Sequence, residues 1–577
     1  MYVLGIAPLT ESAAVLVRDG RVVAAAEEER FSRVKHQGGF PFRALRWVLE
    51  AEGIGIGDVA GVGVAWNPWR VGRWAAYLLE TLVRDPALFV DKARRAARVW
   101  SGGQAPGADG WGSLLRLRGR FRRHAGSAPR RLHYLDHHAC HMASCFLASP
   151  FPEAAVLVMD GAGEHACTTT AVGRGTSLRV LRQHPVPHSL GHFYSAVTGY
   201  LGLGMLDGEY RTMGLAPYGD PAGAAWIRAR WLVSRGPGEY RLRPGVLDYH
   251  RALRGDFSGA FAERFGPPRP RGEGAPFDDR HAGVAASAQR AFEEVVLDLA
   301  ADLRRATGLE RLVVAGGCGL NCVANGRILG EGVFGEVHVP PVPHDAGGAL
   351  GAALLLHARL TGRGPEPLAH AALGPAFGAA AVEEAVRRGP PVRVEPLAPG
   401  EAPRRAAGAI AGGAVLAWVD GAMEFGPRAL GQRSFLASPL SDGIRGVMNE
   451  KIKKRELFRP FAPSVKAERA ADYFHLEQPS PYMSLVVPVR PEKRATIPAV
   501  THVDGTARPQ TVDRATHPRY WALLDELERL TGVPVVLNTS FNIQEPIVCT
   551  PDEALATFAR SGADALVLGD HWVTRPG

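Results

Sequence analysis

The chain reads as a two-domain α/β protein whose first domain uses one strand pattern twice. Its 577 residues exceed what a single hydrophobic core serves. A strand-turn-strand-turn-strand unit at the N-terminus returns after residue 150. Beyond Leu360, the stretch TGRGPEPLAHAALGPAFG is rich in Gly, Pro and Ala, and a second strand-helix pattern follows it. The predicted division is 1–362, a linker at 363–380, and 381–577.

In order, Val3–Ile6, Ala13–Val17 and Val22–Ala26 are short apolar strands, with Arg18-Asp19-Gly20-Arg21 as a hairpin turn. Helices are predicted near Phe42–Glu50 and Ala75–Arg98. Leu114–Arg131 holds seven arginines and no acid. With little aromatic interleaving, it predicts a solvated face or disordered flap rather than a nucleic-acid surface. The strand unit returns at Ala155–Met159, Ala166–Val172 and Leu178–Gln183, punctuated by Asp160-Gly161-Ala162-Gly163 and Gly173-Arg174-Gly175. Actin-like and sugar-kinase-like ATPases use a duplicated core of this kind, whose hairpins, here through Gly161 and Gly163, present backbone amides to phosphate. Arg311–Ala315 then runs through Gly316-Gly317-Cys318-Gly319-Leu320-Asn321 into a helix, a natural anion or nucleotide cradle. The second domain reads as mixed α/β: strands at Val392–Glu395, Ala414–Val419, Met483–Val489 and Val533–Leu537, a helix over Arg404–Ala411, and a helix opening at Thr550-Pro551-Asp552-Glu553 with a reciprocal cap.

The chemistry centres on His137 and His141 in DHHACH. On a helix, residues i and i+4 point the same way and can close two imidazoles on one ion. An isolated pair of this kind is more often structural. Here, however, DGAGE and HDAGG supply Asp160 and Asp345 beside glycines at strand ends, and two nitrogens with two carboxylates suit Fe, Mn or Zn. Three loops of the second domain add a different chemistry: Arg428 and Arg433; Lys453, Arg455 and Arg459 between Phe458 and Phe461; and Asn538, Thr539, Ser540 and Asn542. Converging cations and small donors suit a polyphosphate or acyl phosphate.

Composition excludes other classes. The longest nearly apolar run, Ala406–Val419, is too short for a bilayer, and the opening residues predict no export. Six cysteines without a C-x-x-C pair predict a reduced, cytoplasmic protein. The formal charge of +9 arises in a chain of 60 Arg and 7 Lys, a GC-rich bias that says little about nucleic acid. Three of the lysines, Lys451, Lys453 and Lys454, lie together, as at a site wanting compact ammonium charge.

The set AAAEEERFSRVKH, DHHACH, DGAGE, PHSLGHFYSAVTGYLG, MGLAPYG, AGGCGLNCVANG, VPHDAGGALGAA, MEFGPRALGQRS, RELFRPFAPS and LNTSFN, in order along nearly the whole chain, resembles the NodU/CmcH carbamoyltransferase family, which includes the tobramycin-type antibiotic O-carbamoyltransferases. The resemblance implies an ASKHA-type (actin-like, RNase H-like, duplicated) N-terminal domain and a YrdC-like C-terminal domain. It implies ATP and carbamoyl phosphate as co-substrates, carbamoyl adenylate as intermediate, and transfer to a hydroxyl of a small natural-product acceptor. It places a metal on His137, His141, Asp160 and Asp345, iron in the family's characterised members, with Mn2+, Mg2+ or Zn2+ as alternatives. Arg428, Lys453, Arg459, Arg508, Asn538, Thr539 and Ser540 would line the adenylate-forming pocket, and Gly161, Gly163, Gly316, Gly317 and Asn321 would hold nucleotide. His36 in RVKH is a candidate for the acceptor pocket. No nucleic-acid or membrane partner is expected, and a homodimer is compatible.

Some residues depart from the family pattern. Thr10-Glu11 stand where His-Asp is usual before the Ser-Ala-Ala of the first hairpin. Because threonine is no base near neutral pH, the acceptor proton would fall to Glu11, His36 or the acceptor itself. Arg211, His165 and Ala422 replace a usual Lys, Trp and Arg, and a glycine is missing before the Glu of LNTSFNIQEP. These departures leave an amine acceptor, or a nucleotide-binding partner without turnover, as alternatives.

Overall fold

The computed structural model describes residues 1–70, 72–90, 93–94, 110–247, 257–272 and 275–576. The chain forms two compact units: Met1–Glu28 with His36–Leu368, and Glu29–Lys35 with Ala369–Gly577. Glu29–Lys35, read from the sequence as part of the first domain, groups with the second unit.

In the first unit, β1 (Tyr2–Ala7), β2 (Ala13–Arg18) and β3 (Arg21–Glu27) form an antiparallel meander. Apolar residues pair across it, as Val3 does with Val17 and Ile6 with Ala14. β4 (Val59–Val64) and β5 (Leu132–Tyr134) extend the sheet in parallel, giving the order β3-β2-β1-β4-β5. A second sheet repeats the plan: β6 (Glu153–Met159), β7 (Ala166–Arg174) and β8 (Ser177–Pro185) meander, and β9 (Arg311–Ala315) and β10 (Glu336–His338) extend it in parallel. Its order, β8-β7-β6-β9-β10, with the same strand senses, defines the duplicated RNase H-like core of the ASKHA class. β6 is buried from Ala154 to Met159, as expected of a central strand covered on both faces.

Three helices position the site. α1 (Phe42–Glu50) starts where the Glu28 carboxylate accepts from the backbone amides of Arg43 (3.0 Å) and Ala44 (2.9 Å). α2 (His137–Phe146) is buried along nearly its whole length. α3 (Gly347–Thr361) crosses it so closely that a Cβ on Gly351 would lie 1.8 Å from the Cys140 carbonyl oxygen. Glycine is thus required at this crossing.

The expected Ala75–Arg98 helix is observed as Gly72–Arg84; residues 91–92 and 95–98 of that expectation lie outside the described residues. The arginine-rich stretch is not a disordered flap. Leu117–Ala125 is helical, with Leu117 and Phe121 buried and Phe121 edge-on to Phe40 at 5.1 Å.

The second unit is a mixed sheet of β11 (Arg393–Pro396), β12 (Leu416–Val419), β13 (Arg433–Ala437), β14 (Ala462–Lys466), β15 (Gln510–Val512), β16 (Val535–Ser540), β17 (Ala565–Leu568) and β18 (His571–Thr574). The order is β11-β18-β17-β12-β13-β16-β14-β15. Helices Glu401–Ala411 and Pro518–Thr531 bury Ile410, Tyr520, Leu523 and Leu527 against Leu416, Trp418, Leu436 and Val536. The helix Pro551–Arg560 has the expected reciprocal cap between Thr550 and Glu553. The strand expected over Met483–Val489 shrinks to Val487–Pro488, because Met483 adopts a left-handed φ of 54° that no strand can contain. Among the described residues, no helix is long and apolar enough to cross a membrane.

Candidate active site

α2 begins at Asp136, whose carboxylate accepts from the Ala139 amide, and its first turn carries both histidines. The Glu164 carboxylate accepts from the His137 amide at 3.0 Å and the Asn67 amide at 2.6 Å, fixing the helix start. His137 and His141 are buried, with their Nε2 atoms 3.1 Å apart. The His137 Nδ1 lies 3.2 Å from the Ala65 carbonyl. Donation to that oxygen leaves the Nε2 lone pair facing inward, as a metal ligand needs. His141 Nδ1 has no partner among the described residues.

Asp160 follows β6, and Asp345 precedes α3. The Asp160 Oδ2 lies 3.2 Å from His137 Nε2 and 4.0 Å from His141 Nε2; for Asp345 Oδ1 these distances are 3.5 and 3.7 Å. All four ligand atoms fall within 4.8 Å of one another. Ligands at ~2.1 Å from one ion are separated by about 3.0 Å along an octahedral edge and about 3.4 Å along a tetrahedral one. The donor set therefore fits a divalent cation. Electrostatics agree: burial alone would lower the His137 pKa, but hydrogen bonds to Asp160 and Asp345 hold it well above its ordinary value. Burial would raise both aspartates, yet the two imidazoles keep them well below the usual carboxylate range. The neighbouring His138 bonds to Thr169 Oγ1 (2.8 Å) and is driven down to about 3 by burial and His137, so it stays neutral.

Asp136, Glu164 and His165 also approach one another. Asp136 nevertheless caps α2 and pairs with Arg70 at 2.6 Å, while Glu164 holds backbone amides. This group builds the helix start.

The Gly positions expected to cradle phosphate are engaged internally. Gly163 N donates to Ala166 O (2.8 Å), Gly316 N to Pro343 O (2.8 Å) and Gly317 N to the Asp160 carboxylate (2.9 Å). Gly316 adopts φ 87°, with no room for a Cβ beside Met159 O, so this turn serves strand packing and holds the Asp160 carboxylate. Gly161 packs against Gly191, where an added Cβ would come within 3.0 Å of it. Asn321 caps the helix Cys322–Gly330 and exchanges hydrogen bonds with Gln289. Its side-chain amide is thus engaged with Gln289 and the helix start.

Beside the cluster, Glu11 Oε1 accepts from His36 Nδ1 at 2.8 Å, and His36 Nε2 lies 3.5 Å from Asp207. Both Glu11 and His36 hold left-handed φ values, 43° and 52°, a conformation that persists in such residues only when surroundings impose it. His344 joins the group, 3.2 Å from Glu27 and 3.9 Å from Glu11. Burial would lower its pKa, but these carboxylates raise it to about 9. His344 and Glu27 were not anticipated from the sequence; the HDAGG motif drew attention to Asp345 and hid the preceding imidazole.

In the second unit, Lys453 ends a π-helical turn, Val447–Lys453, and is buried. Its Nζ reaches Ser540 O (2.8 Å), Ser540 Oγ (3.2 Å), Asn542 O (2.7 Å) and Asn542 Oδ1 (2.6 Å). Burial and the cations of Arg455, Arg459 and Lys35 push its pKa well below the ordinary lysine value, against the four oxygens that favour the ammonium. Arg455 is lowered by burial and by Arg459 and Arg508. Such crowding of like charge marks a place for a polyanion. Arg428 lies half-buried in the loop between β12 and β13, a loop ordered by Glu424, whose carboxylate accepts from the amides of Leu430, Gln432 and Arg433.

Two of the residues named from these segments are held within the sheet. Arg433 is buried at the start of β13 and donates to carbonyls of Pro375, Asp420, Gly421, Gln432 and Cys549. Asn538 is 1% exposed, and its Nδ2 binds Ala429 O, Ser464 Oγ and Gln510 Oε1, tying β16 to its neighbours. Thr539 and Ser540, at the open end of β16, are half-buried. Arg30 donates to Gly426 O (2.7 Å), and Arg33 donates to Pro546 O (2.6 Å) and Ile547 O (2.7 Å), fastening Glu29–Lys35 into this unit.

The arrangement defines a class: a duplicated RNase H-like unit with a two-histidine, two-aspartate cluster, and a mixed α/β unit with a cluster of buried cations. Residues 2–354 match the description "Carbamoyltransferase N-terminus" and residues 407–575 "Carbamoyltransferase C-terminus". The chain belongs to the carbamoyltransferase family. It is 40% identical to an uncharacterised protein of Synechocystis, over 98% of this chain and 95% of that one. It is 38% identical to the nodulation protein NolNO of Sinorhizobium fredii, over 98% and 79%. With the 3'-hydroxymethylcephem-O-carbamoyltransferase of Amycolatopsis lactamdurans it shares 37% identity, over 46% and 49%.

Proposed function

We propose that the chain is an ATP-dependent carbamoyltransferase that makes carbamoyl adenylate in its second unit and passes the carbamoyl group, in its first, to a hydroxyl of a small natural-product acceptor. The observation that carries this reading is the crowding of Lys453 by Arg455 and Arg459, and of Arg455 by Arg459 and Arg508. Carbamoyl phosphate and ATP together bring that many negative oxygens. Hydrolysis of carbamoyl phosphate releases phosphate and carbamate; carbamate oxygen then bonds to the α-phosphorus of ATP as the bond to pyrophosphate breaks. Lys453 and the arginines stabilise the charge that develops on those oxygens. Phosphate release from one substrate and pyrophosphate release from the other are separate readouts.

In the transfer step, the acceptor oxygen bonds to the carbamoyl carbon, the bond to the AMP oxygen breaks, and the acceptor proton moves to His36. Glu11 orients that imidazole through Nδ1 and compensates the charge it gains. His137, His141, Asp160 and Asp345 would hold a divalent ion, Fe2+ or alternatively Mn2+, Mg2+ or Zn2+. Bound there, such an ion would supply Lewis-acid stabilisation of the phosphate of the leaving AMP. Pyrophosphate release from metal-loaded protein should require both ATP and carbamoyl phosphate; folded, loaded protein that releases none would end this reading.

A further inference from the structure

We propose that Thr10 is a positioning residue for the metal ligand Asp345, an inference that rests on reading the His137-His141-Asp160-Asp345 cluster as a divalent-cation site. The two carboxylates of the cluster are held alike. Asp160 turns Oδ2 toward His137 (3.2 Å), while its Oδ1 accepts from the Gly317 amide (2.9 Å). Asp345 turns Oδ1 toward His137 (3.5 Å) and His141 (3.7 Å), while its Oδ2 accepts from the Thr10 hydroxyl. Each carboxylate therefore offers one oxygen inward and has the other pinned by a donor from the chain.

This arrangement imposes one-oxygen ligation on both aspartates and removes the rotational freedom an untethered carboxylate would lose on binding an ion. The two donors come from different parts of the duplicated core: the loop after β1, whose counterpart follows β6, and the turn after β9, whose counterpart follows β4. Thr10 is exposed and sits in the turn between β1 and β2. The next residue turns left-handed, with φ 43°, and sends its carboxylate to His36. Two successive side chains thus serve two tasks: Thr10 steadies a ligand, and Glu11 steadies the base. A hydroxyl suffices for the first task and is useless for the second, which accounts for threonine at this position.

Manganese(II) titrated calorimetrically into the metal-free, full-length protein tests the inference in the native chain, Thr10→Ser and Thr10→Val. Valine keeps the shape of threonine and removes the donor, so its Kd for Mn2+ should rise about 10–100-fold. Serine restores the hydroxyl and should stay within about threefold of native. Metal-free melting temperatures of the three should agree, because the side chain is exposed. Unweakened binding by Thr10→Val, or equal weakening by Thr10→Ser, would overturn the role of Thr10 alone. A native chain that binds no Mn2+, with His141→Ala indistinguishable from it, would instead strike the cluster itself.

Discussion

Lys453 shows how a single side chain can be both structural and chemical. Four oxygens of Ser540 and Asn542 surround its ammonium, while cations crowd it from elsewhere. Lys453→Ala should therefore lower pyrophosphate formation by about 10²–10³-fold, the scale of a lost charge-stabilising donor. Steady-state pyrophosphate release measures it. His141→Ala removes a primary ligand and should weaken Mn2+ binding by at least about 10²-fold, read by equilibrium dialysis. At this scale the sequence was legible where spacing carried the signal. His137 and His141 could be paired from one turn of helix, and Asp160 and Asp345 from acids beside glycines at strand ends. It was not legible where the same residue type serves packing. Nothing in LNTSFN separates Asn538, locked to Ala429, Ser464 and Gln510, from Ser540, open to the lysine. Arg433 likewise looks like a binding arginine until its five carbonyl partners are seen.

Among the elements, α1 carries a pH dependence. Its N-terminal amides are capped by Glu28, a carboxylate so buried that its pKa rises to about 7 despite those hydrogen bonds. The folded state binds the Glu28 proton more tightly than the unfolded chain does. Stability from this group is therefore complete below the unfolded value near 4.5 and is lost as pH rises toward 7. A shift of this size corresponds to roughly 3 kcal/mol. Thermal melts from pH 4 to 8 should show a smaller decline for Glu28→Gln than for the native chain. The crossing of α3 over α2 makes a second demand. Gly351→Ala would drive a methyl into the Cys140 carbonyl, costing about 1–3 kcal/mol or more, and should lower the melting temperature by several degrees. Strands and helices with clear periodicity were read almost to the residue, as at Phe42–Glu50 and Arg311–Ala315. The glycine turns could not be resolved from sequence because the same residues suit phosphate binding and close strand packing; the amides of Gly163, Gly316 and Gly317 meet Ala166, Pro343 and Asp160.

For the whole molecule, the proposed function predicts two separable half-reactions. Lys453→Ala should lower pyrophosphate release and product together by about 10²–10³-fold, whereas His141→Ala should retain pyrophosphate release and lose the carbamoylated product, measured by mass spectrometry. If His141→Ala loses both equally, the division of labour is refuted. The Lys35 charge acts on Lys453, and on the proposed reading Lys35→Ala should reduce pyrophosphate formation about tenfold. The sequence conveyed the duplication of the first unit because the meander repeats in order. It could not convey the placement of ERFSRVK, since a short charged segment carries no periodicity to say which core receives it.

That placement bears on how such a gene could be divided. A cut after Leu368 would yield a downstream product lacking Arg30, Arg33 and Lys35, and an upstream one trailing them without their hosts. The two units are interleaved along the chain rather than joined end to end, so no single cut leaves both whole.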